Sequence, residues 1–284
     1  MTLQSIRDSI DQLDQHLLDL LNERMRLVAE IGKLKRERGQ SVFAPEREEM
    51  LLQALEKANS GPLGRIGLRA IYREILSASR ANQSKLRIVY LGKENSTDFL
   101  AARMRFGASD CYRAEPNWKG AIRSLENNEA DVAVVPRSIL CQALSKKPGE
   151  KPFTQALRVC GEIKLVREAA VPETAPVSQR NSLVGDQFFM LTNGGEIKDP
   201  TGKSLLFLRI PGLEKLDGEF KDLVARFGGS VQSVEPVLAS GERFFCEVIG
   251  TLQREKLLEE ASRQWGRQAH LVLLGTYPTP HIYG

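Results

Sequence analysis

The chain has 284 residues, enough for about two domains at roughly 150 residues each. Hydrophobic residues make up 42% and charged residues 27%, which excludes global disorder, and no apolar run approaches the ~20 residues of a bilayer span. The 40 basic and 36 acidic residues leave a net charge of +4, too small for a broad nucleic-acid-binding surface.

The first stretch is helical. Ile6, Ile10, Leu13, Leu17, Leu20, Leu21, Leu27, Val28, Ile31 and Leu34 recur at three- and four-residue steps, which predicts one helix of about 30 residues or more. A helix that long calls for a partner helix, here expected from a second chain. Gly39 closes it, and Pro45 with Glu46, Glu48 and Glu49 opens a second helix, since proline and acids suit a helix N-terminus. Ser60 to Gly64 is a turn, and a third helix is expected from Arg65 to Gln83. The early acids Asp8, Asp11, Asp14 and Asp19 leave no apolar signal core, so a cytoplasmic location is expected.

The second stretch alternates strand and helix. Leu86 to Gly92 reads as a buried strand and turn, Phe99 to Phe106 as a helix, Ala121 to Asn127 as a helix, and Ala130 to Val135 as a strand. This is an α/β pattern. After Pro136 it weakens, and Ser145–Lys151 and Val171–Arg180 read as linkers. From Ser204 to Pro278 the order strand, helix, strand, strand, helix, strand predicts a ferredoxin-like α+β unit. Cys111, Cys141, Cys160 and Cys246 form no C-x-x-C pair, and His16, His270 and His281 stand apart from them. No metal site is expected, and the cysteines read as free thiols.

Arg24 and Lys35 are about three turns apart and project from nearly one helix face, and Ser79 and Gln83 share a face at i, i+4. Arg47 and Glu48 lie in the first turn of the second helix. Arg7 lies about five turns before Arg24 and reaches a common pocket only from a partner chain in an antiparallel dimer.

These residues occur in an order that resembles a known family. Arg7, Glu23-Arg24, Gly32-Lys33-x-Lys35, Pro45-Glu46-Arg47-Glu48, Asn59-x-Gly61-Pro62-Leu63 and Tyr72-Arg73-Glu74-Ile75 through Ser79-x-x-x-Gln83 are similar to the all-helical, AroQ-class chorismate mutases. The resemblance implies an intertwined helical dimer that rearranges chorismate to prephenate without a cofactor. It implies that Arg24 and the partner's Arg7 hold the side-chain carboxylate, and that Arg47 and Ser79 lie toward the ring carboxylate. Lys35 and Gln83 then donate to the ether oxygen, and Glu48 accepts from the ring hydroxyl. Ala44 departs from relatives that carry aspartate or arginine in that loop.

The remainder resembles the dehydratase and ACT portions of the bifunctional chorismate mutase/prephenate dehydratases. Tyr90-Leu91-Gly92-Lys93-Glu94-Asn95-Ser96, Ala130 to Pro136, Gly161 to Leu165 and Leu273 to Pro278 carry that likeness. Its functional motifs are eroded. Arg137-Ser138 stands where the family has asparagine-serine, and Asp186-Gln187-Phe188 aligns with its threonine-arginine-phenylalanine. Gly212-Leu213-Glu214 and Glu235-Pro236-Val237-Leu238 depart from its ACT effector motifs.

The expected organisation is therefore a helical mutase domain at 1–84, a degenerate dehydratase-like α/β segment at 86–200 lacking most of its second lobe, and an ACT-like domain at 203–278. The expected function is a homodimeric chorismate mutase of aromatic amino-acid biosynthesis with dehydratase activity lost, acting on a small-molecule substrate and binding neither nucleic acid nor membrane. Alternatives are a 4-amino-4-deoxychorismate mutase and a non-catalytic regulatory or interaction protein.

Overall fold

The computed structural model describes residues 2–144, 157–168, 183–193, 202–210, 218–237, 242–250, 252–266, 270–278 and 281–283. Three helices come first: α1 (Leu3–Glu37), α2 (Pro45–Ala58) and α3 (Arg65–Gln83). Thr2 and Ser5 cap α1 reciprocally, which satisfies backbone donors that a helix start leaves open. Gly39 follows the end of α1 with φ 61°, a left-handed conformation that glycine adopts without a Cβ clash. Among its residues only Val28 and Gly32 are buried. Leu3, Ile6, Ile10, Leu13, Leu17 and Leu20 are exposed, so the apolar stripe of the N-terminal half has no cover among the described residues. Glu49 and Glu56 of α2 pair with Arg69 of α3 and tie those helices together.

A six-stranded sheet follows. In chain order its strands are β1 (Arg87–Leu91), β2 (Cys111–Glu115), β3 (Val132–Pro136), β4 (Leu157–Glu168), β5 (Leu183–Asn193) and, from the C-terminal end, β10 (His281–Tyr283). Their spatial order is β10-β4-β5-β3-β1-β2. β1 runs parallel to β2 and β3, and β5 runs antiparallel to β3 and β4. The connecting helices are α4 (Thr97–Phe106), α5 (Trp118–Glu126) and α6 (Arg137–Leu144). A four-stranded antiparallel sheet comes next, with β6 (Lys203–Arg209), β7 (Ser230–Pro236), β8 (Arg243–Ile249) and β9 (His270–Tyr277) in the order β7-β8-β6-β9. Helices α7 (Gly218–Arg226) and α8 (Arg254–Trp265) cover one face. This is the ferredoxin-like arrangement expected from the sequence.

Alternation along the strands builds the layers, because successive side chains point to opposite faces. Ile88, Tyr90, Val132, Val134, Phe188 and Met190 pack beneath α4 with Ala101, Ala102 and Phe106. Val89, Val135, Phe189 and Leu191 face the other way and join Leu205, Phe207, Phe245 and Tyr277 of the second sheet. Gly275 of β9 permits that contact, since a Cβ there would lie 2.0 Å from Val159 O.

The sequence reading differs from the structure after Pro136. The segment there is helix α6, and the next described elements are two long antiparallel strands, β4 and β5, paired from Leu157↔Asn193 to Glu168↔Leu183 with a register shift between Val159 and Gly161. The linkers expected at 145–151 and 171–180, and the Gly212-Leu213-Glu214 motif, lie outside the described residues.

Candidate active site

Some of the predicted site residues meet where α1 crosses α3. Gly32 of α1 faces Gln83, and a Cβ on Gly32 would stand 2.9 Å from Gln83 Cγ. The crossing is close because that position carries no side chain. Arg36 donates to Gln83 O at 3.0 Å, and the Asn82 amide donates to Met25 O at 2.9 Å. Both bonds pin the end of α3 to α1. Within this frame Arg24 donates to Ser79 Oγ, and Ser79 Oγ donates to Ile75 O at 2.6 Å. The Gln83 amide nitrogen reaches Ser79 O at 3.4 Å, while its Oε1 is buried with no hydrogen-bond partner. A buried polar atom left open in this way wants a ligand or water.

Lys35 lies one turn beyond Gly32. Its Nζ donates to Ser41 O at 3.0 Å and Val42 O at 3.1 Å, carbonyls of the loop between α1 and α2. An ammonium has three donors, so these two carbonyls do not exhaust it. Burial lowers the Lys35 pKa, and the charge of Glu48 opposes that shift.

Glu48 is placed differently from a residue that simply faces a substrate. It is buried, with Oε1 2.6 Å from Arg80 Nη1 and Oε2 3.1 Å from Arg105 Nη1. Burial pushes its carboxyl up, but Arg105 and Arg80 together outweigh burial and leave the pKa below the usual value. Arg80 is held in turn by Asp110 at 2.9 Å. Arg47 is exposed at the start of α2, and Arg7 is exposed on α1, about 25 Å along the helix before Arg24. The structure thus brings Arg24, Ser79 and Gln83 to one crossing, holds Lys35 one turn beyond Gly32 against the α1–α2 loop, and turns Glu48 toward Arg80 and Arg105. Arg47 and Arg7 stay outside.

Arg80, Arg105 and Asp110 were not among the sequence candidates. The available signal was local: Arg80 adjoins Ser79, and Arg105 adjoins the core residue Phe106 on an otherwise apolar helix face.

The eroded dehydratase motifs also meet in space. A cavity of about 630 Å³ is lined by Thr97, Asp98, Arg137, Ser138, Asp186 and Gln187 among others. Arg137 donates to Gln187 Oε1 at 2.8 Å and pairs with Glu235 at 2.6 Å. Burial raises the Asp98 pKa, and the charge of Asp186 adds to the rise.

Residues 6–84 match the family model for chorismate mutase type II. Over 176 residues the chain is 29% identical to a bifunctional chorismate mutase/prephenate dehydratase of Aquifex aeolicus, covering 61% of this chain and 47% of that protein. A protein of the same description from Neisseria gonorrhoeae is 31% identical over 159 residues, 56% of this chain and 43% of the other. A chorismate mutase structure from Thermus thermophilus is 38% identical, covers 28% of this chain and 92% of its own, and superposes with a TM-score of 0.28. The chain spans about half the length of the curated relatives it matches. No helix among the described residues is long and apolar enough to cross a membrane. The family match over the helices identifies an N-terminal domain of the chorismate mutase type II family, and the likeness to the bifunctional chorismate mutase/prephenate dehydratases continues beyond those helices.

Proposed function

We propose that the chain is a chorismate mutase, rearranging chorismate to prephenate with no cofactor, and that its dehydratase activity is lost. The observation that carries the first half is the meeting of Arg24 with Ser79 and of Gly32 with Gln83 where α1 crosses α3, with Lys35 one turn further along α1. Chorismate carries two carboxylates, and holding both selects the folded conformer in which the reacting carbons meet. Arg24 with the partner's Arg7 takes the side-chain carboxylate, and Arg47 with Ser79 lies toward the ring carboxylate. As the ether C–O bond breaks and the new C–C bond forms, negative charge grows on the ether oxygen. Lys35 and Gln83 donate to that oxygen from fixed positions, which is electrostatic preorganisation. No proton leaves the substrate, so no general base is required. Glu48 supplies a fixed negative charge toward the ring hydroxyl, with a carboxylate's remaining lone pairs free beside its two ion pairs.

The partner's Arg7 requires a homodimer, and the uncovered stripe from Leu3 to Leu20 on α1 supports one. A chain that sediments as a monomer overturns that part of the proposal.

The dehydratase half rests on Arg137, Asp186 and Gln187. A dicarboxylate substrate in that cavity would face Asp98 and Asp186, and the nearby guanidinium of Arg137 is committed to Glu235 and Gln187.

Chromatography of the products formed from chorismate by the whole chain tests both halves. Prephenate with no phenylpyruvate is expected at pH 7 to 8. Unconsumed chorismate overturns the mutase reading, and enzymatic phenylpyruvate overturns the loss of dehydratase. Ala44, half-buried at the start of α2, offers no side-chain polar group toward the substituent at the ring hydroxyl position. It motivates a second reading, a mutase for 4-amino-4-deoxychorismate, which a tenfold or greater preference for chorismate in kcat/KM rejects.

A further inference from the structure

We infer that Arg105, a residue of the α/β region, is a positioning residue for the mutase pocket, acting through Glu48. The inference rests on the mutase reading above.

Arg105 sits on α4, outside the segment that matches the mutase family. Its Nη1 nevertheless lies 3.1 Å from Glu48 Oε2, while Arg80 of α3 takes the other oxygen at 2.6 Å. The groups facing Glu48 are thus Arg80 from α3, Arg105 from α4 and the Lys35 charge from α1, with Asp110 behind Arg80. Removing Arg105 takes away one of the two guanidiniums that ion-pair with the Glu48 carboxylate.

The same junction grips the loop that faces Lys35. Phe43 follows Val42, whose carbonyl accepts from Lys35. Its ring is buried in the α/β core, 5.5 Å from the Phe106 ring. The Arg105 guanidinium lies over both rings, at 6.0 Å and 5.3 Å from their centroids. The fit beside it is tight. Ser109 N donates to Ser77 Oγ at 3.0 Å, and Ala108 N donates to Glu74 Oε2 at 3.0 Å. Gly107, at φ 81°, lies so close that a Cβ would be 2.7 Å from Ser77 Cβ. The Lys35 carbonyls and the Glu48 carboxylate are therefore both set from the α/β side.

Stability alone is a poor reason for Arg105. A buried ion pair contributes little net stability compared with a well-packed apolar residue, and Arg105 Nε is buried with no partner. What the guanidinium supplies that an apolar side chain would not is an oriented, ionised Glu48.

The test is the pH dependence of kcat/KM for chorismate in the full chain, comparing the parent with Arg105→Met, Arg105→Lys and, as a control, Arg87→Met. Arg87 pairs with Asp131 on the exposed end of β1 and its loss is expected to leave activity unchanged. Arg105→Met is expected to lower kcat/KM about tenfold at neutral pH. It is also expected to move the acidic limb up by about one pH unit, because a lost cation raises the carboxylate pKa. Arg105→Lys restores most of both. A purely structural role lowers activity equally at every pH and leaves the limb in place, which overturns the inference, as does an Arg105→Met variant faster than the parent. If the methionine variant does not fold, Arg105→Gln carries the same test. An inactive parent chain overturns the mutase reading and the inference together, whereas an active parent with an unmoved limb overturns the inference alone.

Discussion

In the proposed mechanism Gln83 and Lys35 are the two donors to the breaking bond, and they make different demands on pH. An amide donates at any ordinary pH, whereas a carboxyl donates only when protonated. Gln83→Glu is therefore expected to confine activity to acidic pH, with kcat/KM falling as pH rises through the pKa of the new carboxyl. Lys35 must be an ammonium, and burial lowers its pKa. Activity of the parent should then fall on the alkaline side below the pH at which an ordinary lysine titrates. Lys35→Ala should cost roughly 10²-fold in kcat, and an unchanged turnover would remove Lys35 from the mechanism. Spacing places Lys35 near the face of Arg24 and Gln83 on the face of Ser79, whereas their proposed roles as donors follow from the resemblance of the motifs. The ion pairs of Arg80 and Arg105 with Glu48 were not legible in the sequence. They join residues 48, 80 and 105 across three helices, and no periodicity links charges that meet only through tertiary packing.

At the level of elements, helix ends were legible where local chemistry marks them. Gly39, Pro45 and Gly64 fix the end of α1 and the starts of α2 and α3 near the positions expected. Strand β2 was missed because Cys111-Tyr112-Arg113-Ala114-Glu115 is an edge strand with no fully buried side chain. An edge has little apolar alternation to read. Helix α6 was missed because it begins directly after Pro136 with no capping residue to announce it. Gly32 shows how one residue can set the relation between two elements. The α1–α3 crossing leaves no room for its Cβ against the Gln83 side chain and Cα. Gly32→Ala should improve local helix propensity by about 1 kcal/mol yet cost more by overpacking, roughly 1–3 kcal/mol. The net expectation is a lower midpoint in urea unfolding together with reduced kcat, since Gln83 moves with α3. A variant that is both more stable and equally active would show that the crossing relaxes freely.

Across the whole molecule, buried charge joins the two sheets beside the segments that align with dehydratase motifs. Arg137 and Gln187, which stand at positions of two dehydratase motifs, bond to each other. Gln187 also donates to Glu162 at 2.6 Å and Glu247 at 3.2 Å. Lys203 lies 2.9 Å from Glu162 and 2.6 Å from Glu247, and Tyr277 donates to Glu162 at 3.1 Å. Glu162, Lys203, Glu247 and Tyr277 are all buried, so the cluster is the polar centre of the sheet-to-sheet contact. Two buried carboxylates share the ammonium of Lys203; Lys164 also pairs with Glu162 at 3.3 Å and Arg137 with Glu247 at 3.5 Å, so removing Lys203 takes away the cation that bridges the two. Lys203→Met should therefore cost about 3–5 kcal/mol, the loss found when one partner of a buried pair is taken away. The pH dependence has a definite sign. Burial raises the Glu247 pKa, but Lys203 and its neighbours more than offset this, so the folded value lies below the usual one. That stabilisation is present above the unfolded carboxylate pKa of about 4.3 and is lost as pH falls through the folded value. In Lys203→Met the two largest lowering causes are lost while Gln187 and Arg137 remain, so the depression shrinks and the variant should lose most stability near neutral pH and come closer to the parent in acid. Urea unfolding of both chains at pH 7 and near pH 4 reads this directly, and a stability gap that stays constant between the two would show that Lys203 acts through packing rather than charge.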